Sequence, residues 1–336
     1  MMIKNKIFIL LLVLGISCTK NEHPSDEPLQ LDSYIFFDEG LVKTKANLHT
    51  EAVLPAAANT SYGVMGLRGA SNSQVFNMYS NNIAQLYRPA AGENFTYDKL
   101  VLWTDEVHKF CAFYPFSASC ISGVVADDAT TNGVIDPYLN YTQPSTLSEM
   151  TDLLTAYTSA SYNSNVSQQE NLVGLNFTHR LFAFNIQIAN IYGEKLTITK
   201  AKLTVTVPDG AKLYFDGSVK PNTTTKTIVH NYVSNKLELT NGAGINLNNQ
   251  TNKDKVSFLF LPCQELDIDF ELSFINKFGK EVTFNVYGLA PTDAEGFVAG
   301  KEYSLILRRV VANDNATFVP SIEDWTIGSD VNHDFE

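Results

Sequence analysis

Asn176-Phe-Thr-His-Arg-Leu-Phe-Ala-Phe-Asn-Ile-Gln-Ile188 decides how this chain is read. Phe182, Phe184, Ile186 and Ile188 alternate with Ala183, Asn185 and Gln187. Successive side chains of a strand point to opposite faces, so a period of two predicts a strand with one buried face. The pattern ends at Ala189-Asn190, near the middle of the chain, and a second set of strand-like segments begins at Lys195. The stretch therefore reads as the last wall of one β domain, set beside the first wall of another.

C-terminal to it the same periodicity repeats. Ala201, Leu203, Val205 and Val207 alternate with Lys202, Thr204 and Thr206. Leu266, Ile268, Phe270, Leu272 and Phe274 alternate with Asp267, Asp269, Glu271 and Ser273, which demands one core face and one wet face. A turn at Phe278-Gly279 and the run Val282, Phe284, Val286 complete a hairpin. Val256–Leu261, Tyr303–Leu307 and Ile322–Ile327 are further strands. N-terminal to the opening stretch, strands are predicted at Ser33–Phe37, Ser61–Leu67, Lys99–Trp103 and His108–Tyr114, the last closed by Pro115. Residues 71–97 read as loop with short strands, 118–132 as loop, and Glu149–Tyr157 as a helical turn or two. Many short strands with polar turns and almost no helix predict an all-β protein of antiparallel sandwiches.

The 336 residues suffice for about two domains, and a hydrophobic content of 44% supports a packed core. The 21 Phe and 15 Tyr suit half-buried pleated surfaces. A net charge of -12 repels phosphate backbones, so nucleic acid is excluded as a partner. Of four cysteines, Cys18 belongs to the N-terminal signal, and Cys111, Cys120 and Cys263 remain. Without a C-x-x-C pair they offer no zinc site; Cys111 and Cys120 either pair in an oxidising compartment or stay buried thiols.

Lys4 and Lys6, the apolar run Ile7–Leu14 and the small residues before Cys18 form a secretory signal too short to span a bilayer. Gly15-Ile-Ser-Cys18 resembles a bacterial lipoprotein signal over residues 1–17, although Gly15 stands where such signals carry Leu. That resemblance implies a lipid-modified Cys18 and stable anchoring by two or more acyl chains. Residues 18–31, polar with Pro24 and Pro28, are a tether.

No catalytic motif is present: there is no Gly-x-Ser-x-Gly, P-loop or dinucleotide fingerprint. His179 beside Arg180 reads as a structural histidine, and Asp267, Asp269 and Glu271 as a solvated strand face. The scattered histidines lack metal-ligand spacing, so neither a metal nor a cofactor is expected, nor an enzyme.

Several landmarks stand in order: the lipoprotein-like start, Val101-Leu-Trp103 before Lys109-Phe-Cys-Ala-Phe-Tyr-Pro115, Thr151-Asp-Leu-Leu154, Phe177-Thr-His-Arg-Leu181, and Ile322-Glu-Asp-Trp325. Together they resemble the fimbrillin-like family of Gram-negative anaerobes, the type V pilins with their accessory and tip subunits. The resemblance implies two tandem transthyretin-like antiparallel β-sandwich domains, here over residues 32–190 and 191–336. It implies outer-membrane display through the lipid and incorporation into a fimbrium with other subunits. It also implies proteolytic removal of the first strand, here Tyr34–Phe37, and filling of the groove by a neighbour's extended segment. The best-known members are cut after Arg, but no Arg lies between Cys18 and Arg68, which leaves Lys45 as the candidate site. The tail 316–327 is either the donor segment, with Phe318, Ile322, Trp325 and Ile327 as anchors, or the closing strand of its own domain. A second function fits the same fold: a stand-alone or tip adhesin that binds a host protein or glycan, with exposed Tyr79 and Tyr87 as contact candidates.

Overall fold

A computed structural model describes residues 34–38, 59–69, 73–74, 83–91, 95–127, 136–165, 172–190, 195–240, 242–250, 257–276, 278–291, 295–310 and 317–324. Up to residue 179 the strands are β1 (Phe37–Asp38), β2 (Ser61–Arg68), β3 (Ser73–Gln74), β4 (Ile83–Tyr87), β5 (His108–Tyr114), β6 (Ile121–Asp127), β7 (Asp136–Thr142), β8 (Leu154–Ala160), β9 (Val173–Gly174) and β10 (Thr178–His179). There follow β11 (Phe182–Asn190), β12 (Leu196–Pro208), β13 (Gly210–Tyr214), β14 (Val219–Pro221), β15 (Thr225–Asn231), β16 (Leu237–Leu239) and β17 (Ala243–Asn246). The last are β18 (Phe258–Phe260), β19 (Leu266–Ile275), β20 (Glu281–Leu289), β21 (Glu302–Val310) and β22 (Thr317–Asp324). Among the described residues there is no α-helix, so the all-β sandwich expected from periodicity holds.

The sharpest alternation in the sequence forms the expected amphipathic strand. Leu266, Ile268, Phe270, Leu272 and Phe274 on β19 are all 3% exposed or less, while Asp267 and Asp269 face solvent. Each such side chain contributes about 1.5–3 kcal/mol by leaving water. β19 lies between β12 and β20 in a sheet completed by β15 and β16, and that sheet packs on the one holding β11, β17, β18, β21 and β22. The β19–β20 hairpin turns at Gly279, whose φ of 74° is left-handed and open to glycine without strain.

β11 corrects its sequence reading. Its pairings are with β17, β18 and, in parallel, β21, so all its sheet partners come from the chain that follows it. Its even-numbered residues enter the C-terminal core, and Ala183 on the other face is also buried, in a core with Leu181, Leu259 and Leu261. Asn185, read as outward, is 2% exposed; its amide donates to Glu302 and its oxygen accepts from the Ser257 hydroxyl at 3.0 Å. Satisfied in this way, a polar residue can sit between layers.

A four-stranded sheet, β14-β13-β7-β6, joins strands from both halves of the chain. Leu139, Tyr141, Ala211 and Leu213 from it pack with Met65, Leu67, Cys111 and Phe113 from β2 and β5. The opposite face of β2, β5 and β8 supports a separate core that includes Ile35 and Phe37.

Other readings change as well. Lys99–Trp103 is not a strand: its pairing is a single bridge between Leu102 and Tyr34. The segment read as loop over 118–132 contains β6. The helical turns expected over Glu149–Tyr157 reduce to a 3-10 turn at Leu147–Glu149, after which the chain enters β8. Cys111 and Cys120 are not joined by a disulfide; both are buried in one core, and burial pushes the Cys120 thiol up to about 11.

Candidate functional site

The first described segment, residues 34–38, is the element on which the functional reading turns. Ile35 is fully buried and Phe37 is 7% exposed. The Phe37 ring meets Phe110 edge-on at 5.3 Å and Tyr97 at 6.3 Å. Apolar residues at alternate positions thus drive the segment into the core shared with Tyr62, Val64, Trp103 and Leu175.

The backbone attachments are few by comparison. The Ile35 N–H donates to the Val101 carbonyl at 2.8 Å, and the Val173 N–H donates to the Phe36 carbonyl at 2.9 Å. The Tyr97 hydroxyl donates to the Ile35 carbonyl at 2.6 Å. β1 pairs in parallel with β9 over two residues, Phe37 with Val173 and Asp38 with Gly174. Without this segment, a groove would open between Val101 on one side and Val173 on the other, floored by Phe110 and Tyr97.

The floor continues into an aromatic row. Trp103 lies edge-on to Phe110 at 6.0 Å and to His108 at 5.0 Å. The His108 Nδ1–H donates to the Glu106 carbonyl at 2.9 Å, which fixes the tautomer. Burial pulls the His108 pKa below its usual value, and the facing Arg68 adds to this; the Glu106 carbonyl and carboxylate oppose it. Tyr97 was not readable as part of this site, because it sits among irregular residues with no periodic signal; Trp103 stood out as a landmark.

The sequence-predicted residues are not gathered at one place. Cys18, Lys45, Trp325, Ile327 and Tyr79 lie outside the described residues. Phe318 and Ile322 stand on β22, opposite Arg309 and Leu305 of β21, so this part of the tail closes its own sheet. Tyr87 is half-buried, and its hydroxyl donates to Asp98 at 3.1 Å. His179 Nδ1 bonds Asp152 at 2.8 Å with both side chains under 10% exposed. Among the described residues no group of three or more His, Cys, Asp or Glu could hold a metal, and no helix is long and apolar enough to cross a membrane.

The arrangement seats the chain's own segment 34–38 in apolar sockets beside hydrogen-bonding backbone. Known proteins match the fold that carries it. A family model described as fimbrillin-like matches residues 44–325. Among solved structures, a fimbrial protein from Bacteroides vulgatus is 17% identical, and the match covers 88% of this chain and 100% of that one with a TM-score of 0.51. The fimbrial anchor protein Mfa2 from Porphyromonas gingivalis is 11% identical, covering 88% of this chain and 98% of that one at a TM-score of 0.41. No curated protein sequence matches. At 17% identity the Bacteroides vulgatus structure bears on the fold alone, whereas the family model runs through most of the sequence: the chain belongs to the fimbrillin-like family.

Proposed function

We propose that the protein is a surface-displayed fimbrial subunit that assembles by exchange of its first strand and performs no reaction. The supporting observation is the mismatch at residues 34–38: two inserted apolar side chains, but, among the described residues, one isolated bridge and a ladder of two residues. A segment held by side-chain sockets and a few backbone bonds can be replaced by another extended segment of matching pattern. Main-chain bonds would supply affinity, and alternate side chains would set register. An empty groove of this kind invites aggregation, so its own strand guards it until assembly.

In this reading Cys18 carries the lipid that holds the protein at the outer membrane, and a cut at Lys45 releases the guarding strand together with the anchor. The donor is an extended segment of a neighbouring subunit. The tail 316–327, with Phe318, Ile322, Trp325 and Ile327 as anchors, serves only if β22 first leaves β21. The chain keeps two domains, and adhesion follows from display on the cell surface.

Limited trypsin treatment of the lipidated protein, followed by N-terminal sequencing and gels of unboiled samples, tests the proposal. Cleavage near Lys45 followed by a ladder of oligomers is the expected result. A protein trimmed at Lys45 that stays monomeric would sink the assembly role and favour a stand-alone adhesin.

A further inference from the structure

Residues 34–38 belong to a narrow ribbon that is apolar on both sides. Tyr34 bridges Leu102 in antiparallel fashion, and Phe37 pairs in parallel with Val173 on the other flank. Paired residues share a face and successive residues alternate. One face therefore carries Ile35, Phe37, Val101, Trp103 and Val173, which meet the core. The same register puts Tyr34, Phe36, Leu100, Leu102 and Leu172 on the opposite face. Leu102 is 51% exposed and Leu100 37%, while Tyr34, Phe36 and Leu172 are half-buried.

A strand with one face in water normally sets polar residues on that face. The outer face of β12, β19 and β20 does so: Thr204 and Asp269 stand between its exposed Val229 and Tyr287. The ribbon instead groups its outward apolar side chains without a polar residue between them. Carboxylates bound the group at both ends. Asp98 and the position of Asp38 continue the same parity at one end, and exposed Asp105 and Glu106 follow Leu102 at the other, with Glu106 3.7 Å from Arg68. Such a rim suits neutral headgroups better than anionic ones.

We propose that this outer face rests on the lipid surface in which Cys18 is anchored, with Leu100 and Leu102 among the headgroups and the Tyr34 ring at the interface. Tyrosine favours that depth because its ring is apolar and its hydroxyl wet. The inference rests on the lipid anchor proposed above. Two observations choose lipid over another protein. The group is far smaller than the roughly 1,000 Å² that a free protein–protein interface buries, whereas a tethered contact needs much less, because a short link acts as a millimolar effective concentration. Residues 19–33, which join Cys18 to Tyr34, reach at most about 55 Å, so the anchor keeps the ribbon near the bilayer. Tyr34 and Phe36 also leave with the first strand, so no lasting contact within a fibre can use them. A cut at Lys45 then removes the lipid and part of the seat in one step.

The test places a tryptophan on the ribbon. The chain from residue 18 onward is prepared as Leu102→Trp and as Val229→Trp. Each is held on phosphatidylcholine vesicles in two ways: by its own lipid, and by a hexahistidine tag in place of residue 18 on nickel-chelating lipid. The tag keeps the seat testable without lipidation, which the mass of the N-terminal peptide reports separately. On either tether, relative to the parent chain, Leu102→Trp emission should shift to the blue and be quenched by brominated acyl chains, independently of salt. Val229→Trp should show neither effect. Adding Leu100→Asp should cut the quenching severalfold without moving the urea midpoint. Absence of quenching on the tag tether would overturn the seat and leave the anchor intact; an N-terminal peptide without lipid would overturn the anchor. Leu102→Trp emission already blue-shifted in solution would mean that the chain covers this face itself, and a shift that grows with protein concentration would mean a second copy. Either would overturn the lipid seat.

Discussion

Phe37→Ala is the most informative substitution, because it separates the first strand's attachment from the stability of everything behind it. Burial of Ile35 and Phe37 contributes about 3–6 kcal/mol together. The three hydrogen bonds through Ile35, Phe36 and Tyr97 add about 1 kcal/mol each. Ordering five residues costs about 5–10 kcal/mol. The two sides balance to within a few kcal/mol, so the segment is held only marginally. Truncating a buried Phe costs about 3 kcal/mol at the low end of its range, fitting for a site at an outer layer. Native-state hydrogen exchange reads the result directly. Protection of the Ile35 and Val173 amides should fall to that of exposed amides, a drop of at most on the order of 10²-fold, since each 1.36 kcal/mol is a factor of ten. Protection of Val205, on central strand β12, should not change. Unchanged protection at Ile35 would mean that the aromatic socket does not hold the strand. A parallel fall at Val205 would mean that the outer layer is not separable, and the exchange model would lose its physical basis.

Three further outcomes follow from the packing. Gly210→Ala should lower stability by about 3 kcal/mol in urea titrations, because its Cβ would overlap the Tyr141 carbonyl oxygen and only a break in the β7–β13 ladder relieves that. Tyr232→Phe should raise stability by about 1 kcal/mol in the same assay, since the buried hydroxyl has no partner among the described residues. Burial lowers the pKa of both His108 and His230, so the unfolded chain binds more protons; stability should be full above about pH 6.5 and fall as pH drops below it, and urea midpoints for His230→Gln should show a shallower decline.

How far the sequence could be read depended on whether one physical signal dominated a segment. β19 was legible because a single hydrophobic face met a single core, and β5 because its apolar run, buried on both faces between two cores, is closed by Pro115. β11 was legible as a strand but not as an interior one: Ala183 and Ala189 are small, and the partners of Asn185 come from residues 257 and 302, distant in sequence. β13 to β16 went unread because β13, β14 and β16 are five residues long or shorter and Lys, Thr, His and Asn fill most of β15, so their burial follows from neighbours rather than from their own pattern. Lys99–Trp103 misled for the opposite reason. Val101 and Trp103 turn inward and Leu102 outward as in a strand, but the ladder beside them is one bridge long. The groove was half legible. Ile35 and Phe37 declared themselves as apolar, whereas Tyr97 gave no sign of the hydroxyl it presents to the Ile35 carbonyl.

The two ends of the described chain differ in how they would carry load, and this can be measured. Force applied at residue 34 meets first the isolated bridge of Tyr34 with Leu102 and then the two-residue pairing of β1 with β9. Force applied at the C-terminal end meets β22, paired with β21 over eight residues, and behind it β11 in parallel with β21 over seven. The core that β1 covers lies on one face of β2, β5 and β8, and the core joining the halves lies on the other. Peeling the first strand should therefore leave the joining core closed. Pulling on handles at both ends in an optical trap should give a small first event at low force, releasing at most about 90 Å for residues 34–58. A much larger rupture should follow as the joined sheets open. A first event that releases far more length would show that the strand and the body fail as one unit. A subunit built that way could not surrender its strand to a neighbour and stay folded.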